Sequence, residues 1–136
     1  MSYHPPHPKA PGLAAGVEET MVAELVDRFY AKVRQDELLG PIFNTRIEDW
    51  DEHLAKLSAF WSSVVLMTGR YKGQPMPAHI AISEITDEHF ERWLALFAET
   101  AKVVCPPEAA ALFVDRSRRI AESLRLGIAA SKGVIA

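Results

Sequence analysis

Residues 50–61 of the chain read WDEHLAKLSAFW. His53, Leu57 and Phe60 follow one another at intervals of four and three residues, so they share one face of a helix. A histidine on an apolar helix face has two interpretations. It is a core-edge residue bonded to the backbone, or it is a polar group that faces a ligand in an apolar pocket.

The rest of the chain is also dominated by helical patterns. Apolar residues at helical spacing and capping signals predict four long helices, which begin near Val17, Asp49, Thr86 and Pro106. We expect the first helix to end at Leu39-Gly40-Pro41 and the fourth to end near Gly127, because glycine and proline interrupt helices there. No stretch reads convincingly as a strand, so the predicted fold class is all-α.

Composition and charge narrow the possible functions. A length of 136 residues predicts one domain, over residues 17–136, preceded by a flexible proline-rich tail over residues 1–16. The net charge of -3 argues against a nucleic-acid partner, and no apolar run approaches the roughly 20 residues of a membrane span. The single cysteine, Cys105, excludes an intramolecular disulfide and favours a reducing cytoplasm.

A second histidine, His79, closes the segment GQPMPAH at residues 73–79. Pro75 and Pro77 restrict the backbone just before it, and a rigid short segment can present an imidazole nitrogen to iron. An ordinary histidine in a surface loop is the alternative.

Two further side chains raise the question of a polar ligand. Tyr30 follows Phe29 on the first helix, and a buried phenol needs a partner for its hydroxyl group. That partner is a backbone carbonyl or a polar diatomic ligand. Trp93 on the third helix has an indole that can only donate, although tryptophan on an apolar face is usually core filling.

The sequence carries no familiar catalytic motif. It has no glycine-rich phosphate loop, no nucleophile elbow, no HExxH and no Glu-x-x-His pair of the di-iron type. Hydrolytic and phosphoryl-transfer enzymes are therefore poorly supported.

Taken in order, several segments resemble the truncated globins, specifically those of group III. The matching segments are FYAKVR (29–34), GPIF (40–43), WDEH (50–53), FW (60–61), GQPMPAH (73–79) and RWLALF (92–97). The resemblance extends from about Val17 to Gly127. It implies a two-over-two helical sandwich around haem b.

The resemblance also implies roles for individual residues. His79 resembles the proximal ligand of the haem iron, and the distal residues are expected to be Tyr30, His53 and Trp93. Phe43 resembles the phenylalanine that packs on the haem face. Further contacts with the cofactor are expected from Leu57, Phe60 and Met76, with Arg70 and Tyr71 as partners of the haem propionates.

The function implied is reversible binding of O2, NO, CO or another small diatomic ligand at an iron that can be five-coordinate. Strong distal donors favour redox chemistry over transport, such as NO detoxification of the dioxygenase type or peroxidase-like chemistry, with a reductase as partner. The alternative is a cofactor-free helical interaction or sensor module, in which His79 and Tyr30 are replaceable at a modest cost in stability.

Overall fold

The computed structural model describes residues 4–72 and 85–131. Within these two ranges the chain forms helices and no strand, which confirms the all-α prediction. In chain order the helices are α1 (Pro11–Ala14), α2 (Glu19–Gln35), α3 (Gly40–Arg46), α4 (Trp50–Leu66), α5 (Asp87–Val104) and α6 (Pro107–Ser131).

The four long helices form two pairs that pack on each other. Helix α2 contacts α4, and α5 contacts α6, while α2 lies against α5 and α4 lies against α6. The buried face of α2 follows helical spacing through Val22, Leu25, Val26, Phe29, Tyr30 and Val33. Both pairs thus share one main core, and a second, smaller cluster lies between α5 and α6.

Aromatic rings fill the centre of this core. The rings of Trp93, Phe97 and Trp61 stack in sequence, with interplanar angles of 3° and 14° and centroid separations of 5.3 and 5.0 Å. Phe29 and Phe113 meet this stack by their edges. Such contacts are directional, so the stack sets the relative positions of α4 and α5 more tightly than aliphatic packing would.

The expected end of the first long helix was wrong by one turn. Helix α2 ends at Gln35, and Gly40 and Pro41 begin α3 instead of terminating α2. The cause is Asp36, whose carboxylate accepts from the amides of Leu38 and Leu39 at 3.1 and 3.0 Å and so stabilises a turn. Proline suits the first turn of α3, because the amides of a first turn have no acceptor within the helix and proline has no amide hydrogen to leave unpaired.

Asp36 also ties this turn to α5. Arg92 donates to its carboxylate at 2.7 Å, and only 4% of the Asp36 side chain is exposed. Burial acts to raise the pKa of Asp36, but the hydrogen bonds from Arg92, Leu39 and Leu38 outweigh it and hold the pKa below its ordinary value. The carboxylate therefore stays ionised and keeps the α2–α3 turn against α5.

The expected end of the last helix was also wrong. Helix α6 continues past Gly127 to Ser131. A helical glycine costs only about 1 kcal/mol relative to alanine. Ile128 is buried in a cluster with Phe90 and Leu124, and this burial offsets that cost.

The N-terminal segment contains a helix that the sequence analysis did not predict. Helix α1 packs on the end of α4, where the amide of His7 donates to the carbonyl of Leu66 at 2.9 Å. Gly12 permits the close approach, since a Cβ there would lie 2.5 Å from the carbonyl oxygen of Val65. The flexibility of residues 1–16 and the domain boundary after them stay predictions.

Two predicted helix starts are confirmed. Asp49 caps α4 by accepting from the amide of Glu52 at 3.1 Å, and Thr86 is the N-cap of α5. None of the helices in the described part of the chain is long and apolar enough to cross a membrane.

Candidate functional site

A cavity of about 570 Å³ opens between the helices. Its volume falls within the roughly 300–1,000 Å³ typical of cofactor sites. Seven of the residues singled out from the sequence line it, namely Tyr30, Phe43, His53, Leu57, Phe60, Tyr71 and Trp93. His79 and Met76 lie outside the described residues. Arg70 is not among the lining residues.

Tyr30 and Trp93 form the polar centre of the cavity wall. Only 4% of Tyr30 is exposed, and burial raises the pKa of its phenol to about 12, although a hydrogen bond with Trp93 acts to lower it. An indole can only donate, so Trp93 donates to the Tyr30 oxygen. The phenol therefore stays protonated at neutral pH, and its own hydrogen is available to an acceptor in the cavity.

The aromatic stack fixes the Trp93 indole in this position. The Trp93 ring lies flat on Phe97 and meets the edge of Phe29 at a centroid distance of 5.2 Å. Phe29 and Phe97 are fully buried, so neither can move without disturbing the core.

His53 completes the polar group from α4. Its ring meets the Tyr30 ring edge to face at a centroid distance of 6.2 Å and the Trp50 ring at 5.7 Å. Trp50 is in turn covered by the guanidinium of Arg34, 4.6 Å from the ring centroid. The side chains of Tyr30, His53 and Trp93 therefore converge from three helices on one part of the cavity.

Comparison with known proteins agrees with this geometry. The model of the Bacterial-like globin family matches residues 14–121. The group 3 truncated haemoglobin of Campylobacter jejuni is 39% identical over 109 residues, which cover 77% of this chain and 86% of that protein. The chain belongs to the truncated haemoglobins of group III.

Solved structures give the same result for the fold. The group III truncated haemoglobin of Campylobacter jejuni superposes with a TM-score of 0.79 at 37% identity, covering 82% of this chain and 91% of that one. The group II truncated haemoglobin of Bacillus anthracis gives 0.73 at 26% identity, covering 87% and 92%. The predicted truncated globin fold is confirmed.

Membership of a globin family implies haem binding. It therefore argues against the alternative of a cofactor-free helical module. The cavity of this globin fits such a group chemically. Its wall is mostly apolar and aromatic, as a flat porphyrin requires. Cations for the two carboxylates of haem are also present, because Arg46 and Lys56 line the cavity.

These two cations were not predicted from the sequence. Arg70, which was expected to meet a propionate, donates to the Glu19 carboxylate at 2.9 Å, and its role toward haem stays a prediction. A signal for Lys56 existed, since Lys56 follows His53 by three residues and therefore lies on the same side of α4. Arg46, at the end of α3, carried no comparable signal.

Much of the apolar wall was also missed. The start of α5 and helix α6 supply a set of lining residues that we call the α5–α6 wall, namely Ile85, His89, Phe90, Ile120, Ala121 and Leu124. Their apolar members look like ordinary core positions in the sequence. Only the tertiary contact of α5 with α6 makes them a cavity wall.

The raised pKa of Tyr30 predicts a loss of stability at alkaline pH. An unfolded tyrosine ionises near pH 10, whereas folded Tyr30 holds its proton to about pH 12, so its contribution is present below pH 10 and lost between these values. We expect the free energy of unfolding to fall by about 1 kcal/mol relative to Tyr30→Phe between pH 9 and pH 11. Urea titrations of both proteins measure this difference, and a constant difference would contradict it.

Proposed function

We propose that this globin binds haem b in the cavity and that Tyr30, Trp93 and His53 hold a small diatomic ligand such as O2, NO or CO. The observation that carries the proposal is that Tyr30, His53 and Trp93 line one cavity together, with the Tyr30 phenol buried. Burial strengthens the electrostatic interactions that these polar side chains offer a ligand there.

His79 is proposed as the side chain that binds the iron. The position of the histidine after Pro75 and Pro77 and the membership of the globin family support this assignment. The described residues that line the cavity include two other histidines, His53 and His89, so the assignment needs a test that separates them.

When bound, haem supplies the iron site for the diatomic ligand and the electron that a redox reaction of that ligand consumes. The protein supplies the donors. The protonated Tyr30 phenol would donate its hydrogen to the ligand, while Trp93, fixed by Phe97, donates to the Tyr30 oxygen and orients the phenol before the ligand arrives. His53 lies at the edge of the Tyr30 ring, where its movement would admit or exclude a ligand.

The remaining lining residues would hold the porphyrin. Phe43, Leu57 and Phe60 offer apolar contact along the cavity, and Met76, outside the described residues, is proposed to add to it. The Phe60 ring meets the Tyr71 ring at a centroid distance of 5.2 Å, and both residues line the cavity. This position supports the proposal that the Tyr71 phenol is a propionate partner. Lys56 and Arg46 would meet the carboxylates, and Arg70, which pairs with Glu19, stays proposed as a further propionate partner.

Slow release of the ligand follows from these donors, and slow release suits a reaction of the bound ligand better than transport. We propose NO detoxification or related peroxide chemistry as the role, with a reductase that returns the consumed electron. The one cysteine, Cys105, is buried, and burial raises its pKa to about 11, so its thiol fits an unreactive residue in a reducing cytoplasm.

Removal of the Tyr30 hydroxyl tests the donor directly. Tyr30→Phe should release oxygen about 10- to 100-fold faster than the wild type, because a hydrogen bond to a charged acceptor contributes about 1.5–3 kcal/mol. Stopped-flow displacement of oxygen by carbon monoxide measures the rate. Tyr71→Phe is the matched control, since it removes a hydroxyl from the same cavity wall and should leave the rate within about twofold. Equal rates for Tyr30→Phe and the wild type would rule out this role for Tyr30.

The redox role is tested by mixing the oxygenated protein with nitric oxide. We expect rapid oxidation to the ferric protein and formation of one nitrate per haem. One oxygen molecule, one nitric oxide and one electron from the iron together make one nitrate ion. Stopped-flow absorbance and nitrate analysis measure both products. Slow oxidation without nitrate would contradict a role in NO detoxification, but it would not contradict the proposal that the protein binds diatomic ligands.

A further inference from the structure

The α5–α6 wall of the cavity is apolar except at one position. Of the described residues that form it, His89 alone carries a polar side chain. It is half-buried and lines the cavity together with Ile85, Phe90 and Leu124. His89 precedes Trp93 by four residues and therefore lies one helical turn from it on the same side of α5. Nothing in the ligand-holding group of Tyr30, His53 and Trp93 uses this side chain.

The hydrogen bonds at the start of α5 fix the chemical character of the His89 ring. The backbone amide of Thr86 donates to Nδ1 of His89 at 3.0 Å, and the Thr86 hydroxyl lies 2.9 Å from the same nitrogen. A backbone amide always carries its hydrogen, so Nδ1 presents a lone pair. The neutral ring consequently carries its hydrogen on Nε2, and His89 offers the cavity an N–H donor.

A donor of this kind restricts what His89 can bind. An Nε2 that carries hydrogen has no lone pair for iron, and Nδ1 is already engaged by Thr86. The ring therefore suits a hydrogen-bond acceptor on the cavity occupant. The acceptors of haem are its two carboxylates, which remain near the cavity rim because a buried anion without partners is costly.

The position of His89 is that of a rim residue. The three residues before it, Thr86, Asp87 and Glu88, are exposed, whereas Phe90 after it is buried. The negative charge of Asp87 is countered by Arg125, which donates to it at 3.2 Å and also to Glu91 at 3.1 Å. Arg125 therefore reduces the repulsion that the carboxylates of Asp87 and Glu91 would exert on an anionic group beside His89.

We propose that His89 donates from Nε2 to a carboxylate of the bound haem. This inference rests on the proposed function, since it requires haem in the cavity. His89 is then a cofactor-holding residue on the α5–α6 wall, whose described lining residues include no cation. It complements Lys56 and Arg46, which line the cavity from α4 and α3. Its capping bond with Thr86 holds the ring in the donor orientation.

Two substitutions separate the donor from the helix cap. His89→Asn places an amide oxygen where Nδ1 lies, so it keeps an acceptor for Thr86 but removes the Nε2 donor. His89→Gln places an amide nitrogen where Nε2 lies, and glutamine at this position can also reach the N-cap amide. Thr86→Ala is the matched control, because it alters the cap and leaves the His89 donor in the cavity.

The measurement is the rate at which ferric haem leaves the full-length protein for excess apomyoglobin. We expect His89→Asn to lose haem about tenfold faster than the wild type, because the variant lacks one charge-assisted hydrogen bond to the cofactor. His89→Gln and Thr86→Ala should stay within about threefold of the wild type. Repeating the series with haem dimethyl ester, whose carboxylates are neutral esters, should bring His89→Asn and the wild type to equal rates.

Other results would overturn the proposal. Equal haem loss for His89→Asn and the wild type would show that the ring makes no such contact. Faster loss of both haem and its dimethyl ester would show a structural role, and a changed absorption spectrum of the reduced protein would show an iron ligand. Failure of the wild type to bind haem at all would appear before any variant is compared, and it would remove the proposed function together with this inference.

Discussion

The hydrogen bond from the Trp93 indole to the Tyr30 phenol is the contact on which the functional cavity depends. It joins α5 to α2 at a buried point, where a phenol without a partner would be costly. Because the indole can only donate, the direction of this bond is fixed, and the Tyr30 hydrogen is left for the cavity. One contact thus couples the packing of two helices to the polarity of the site.

The core explains why this contact is held so firmly. Trp93, Phe97 and Trp61 stack across α4 and α5, and Phe29, the neighbour of Tyr30, closes the stack by its edge. Donors that are fixed before a ligand arrives need no reorganisation when it binds. The same arrangement makes the helix core and the ligand site one structure, so substitutions in the stack are expected to alter both stability and ligand release.

Local signals in the sequence predicted the parts that depend on neighbouring residues. The start of α4 was predicted from the spacing of Asp49 and Glu52. The distal roles of Tyr30, His53 and Trp93 were expected from the resemblance to the truncated globins, and all three residues line the cavity. The end of α2 was missed because Asp36 caps the turn while bound to Arg92, which lies 56 residues away in the chain. The donor character of His89 was missed for a different reason. It follows from the bond that the Thr86 amide donates to Nδ1 of His89, and the sequence does not show which ring nitrogen accepts that bond.

Haem binding in the cavity is tested by the visible absorption spectrum of the protein with one equivalent of haem, in ferric, dithionite-reduced and carbon monoxide-bound forms. We expect a sharp Soret band that shifts when carbon monoxide binds to the reduced protein. His79→Ala should lose this tight complex, whereas His53→Ala should keep it, because only the former removes the proposed iron ligand. A broad spectrum of free haem in the wild type would show that the cavity does not hold haem.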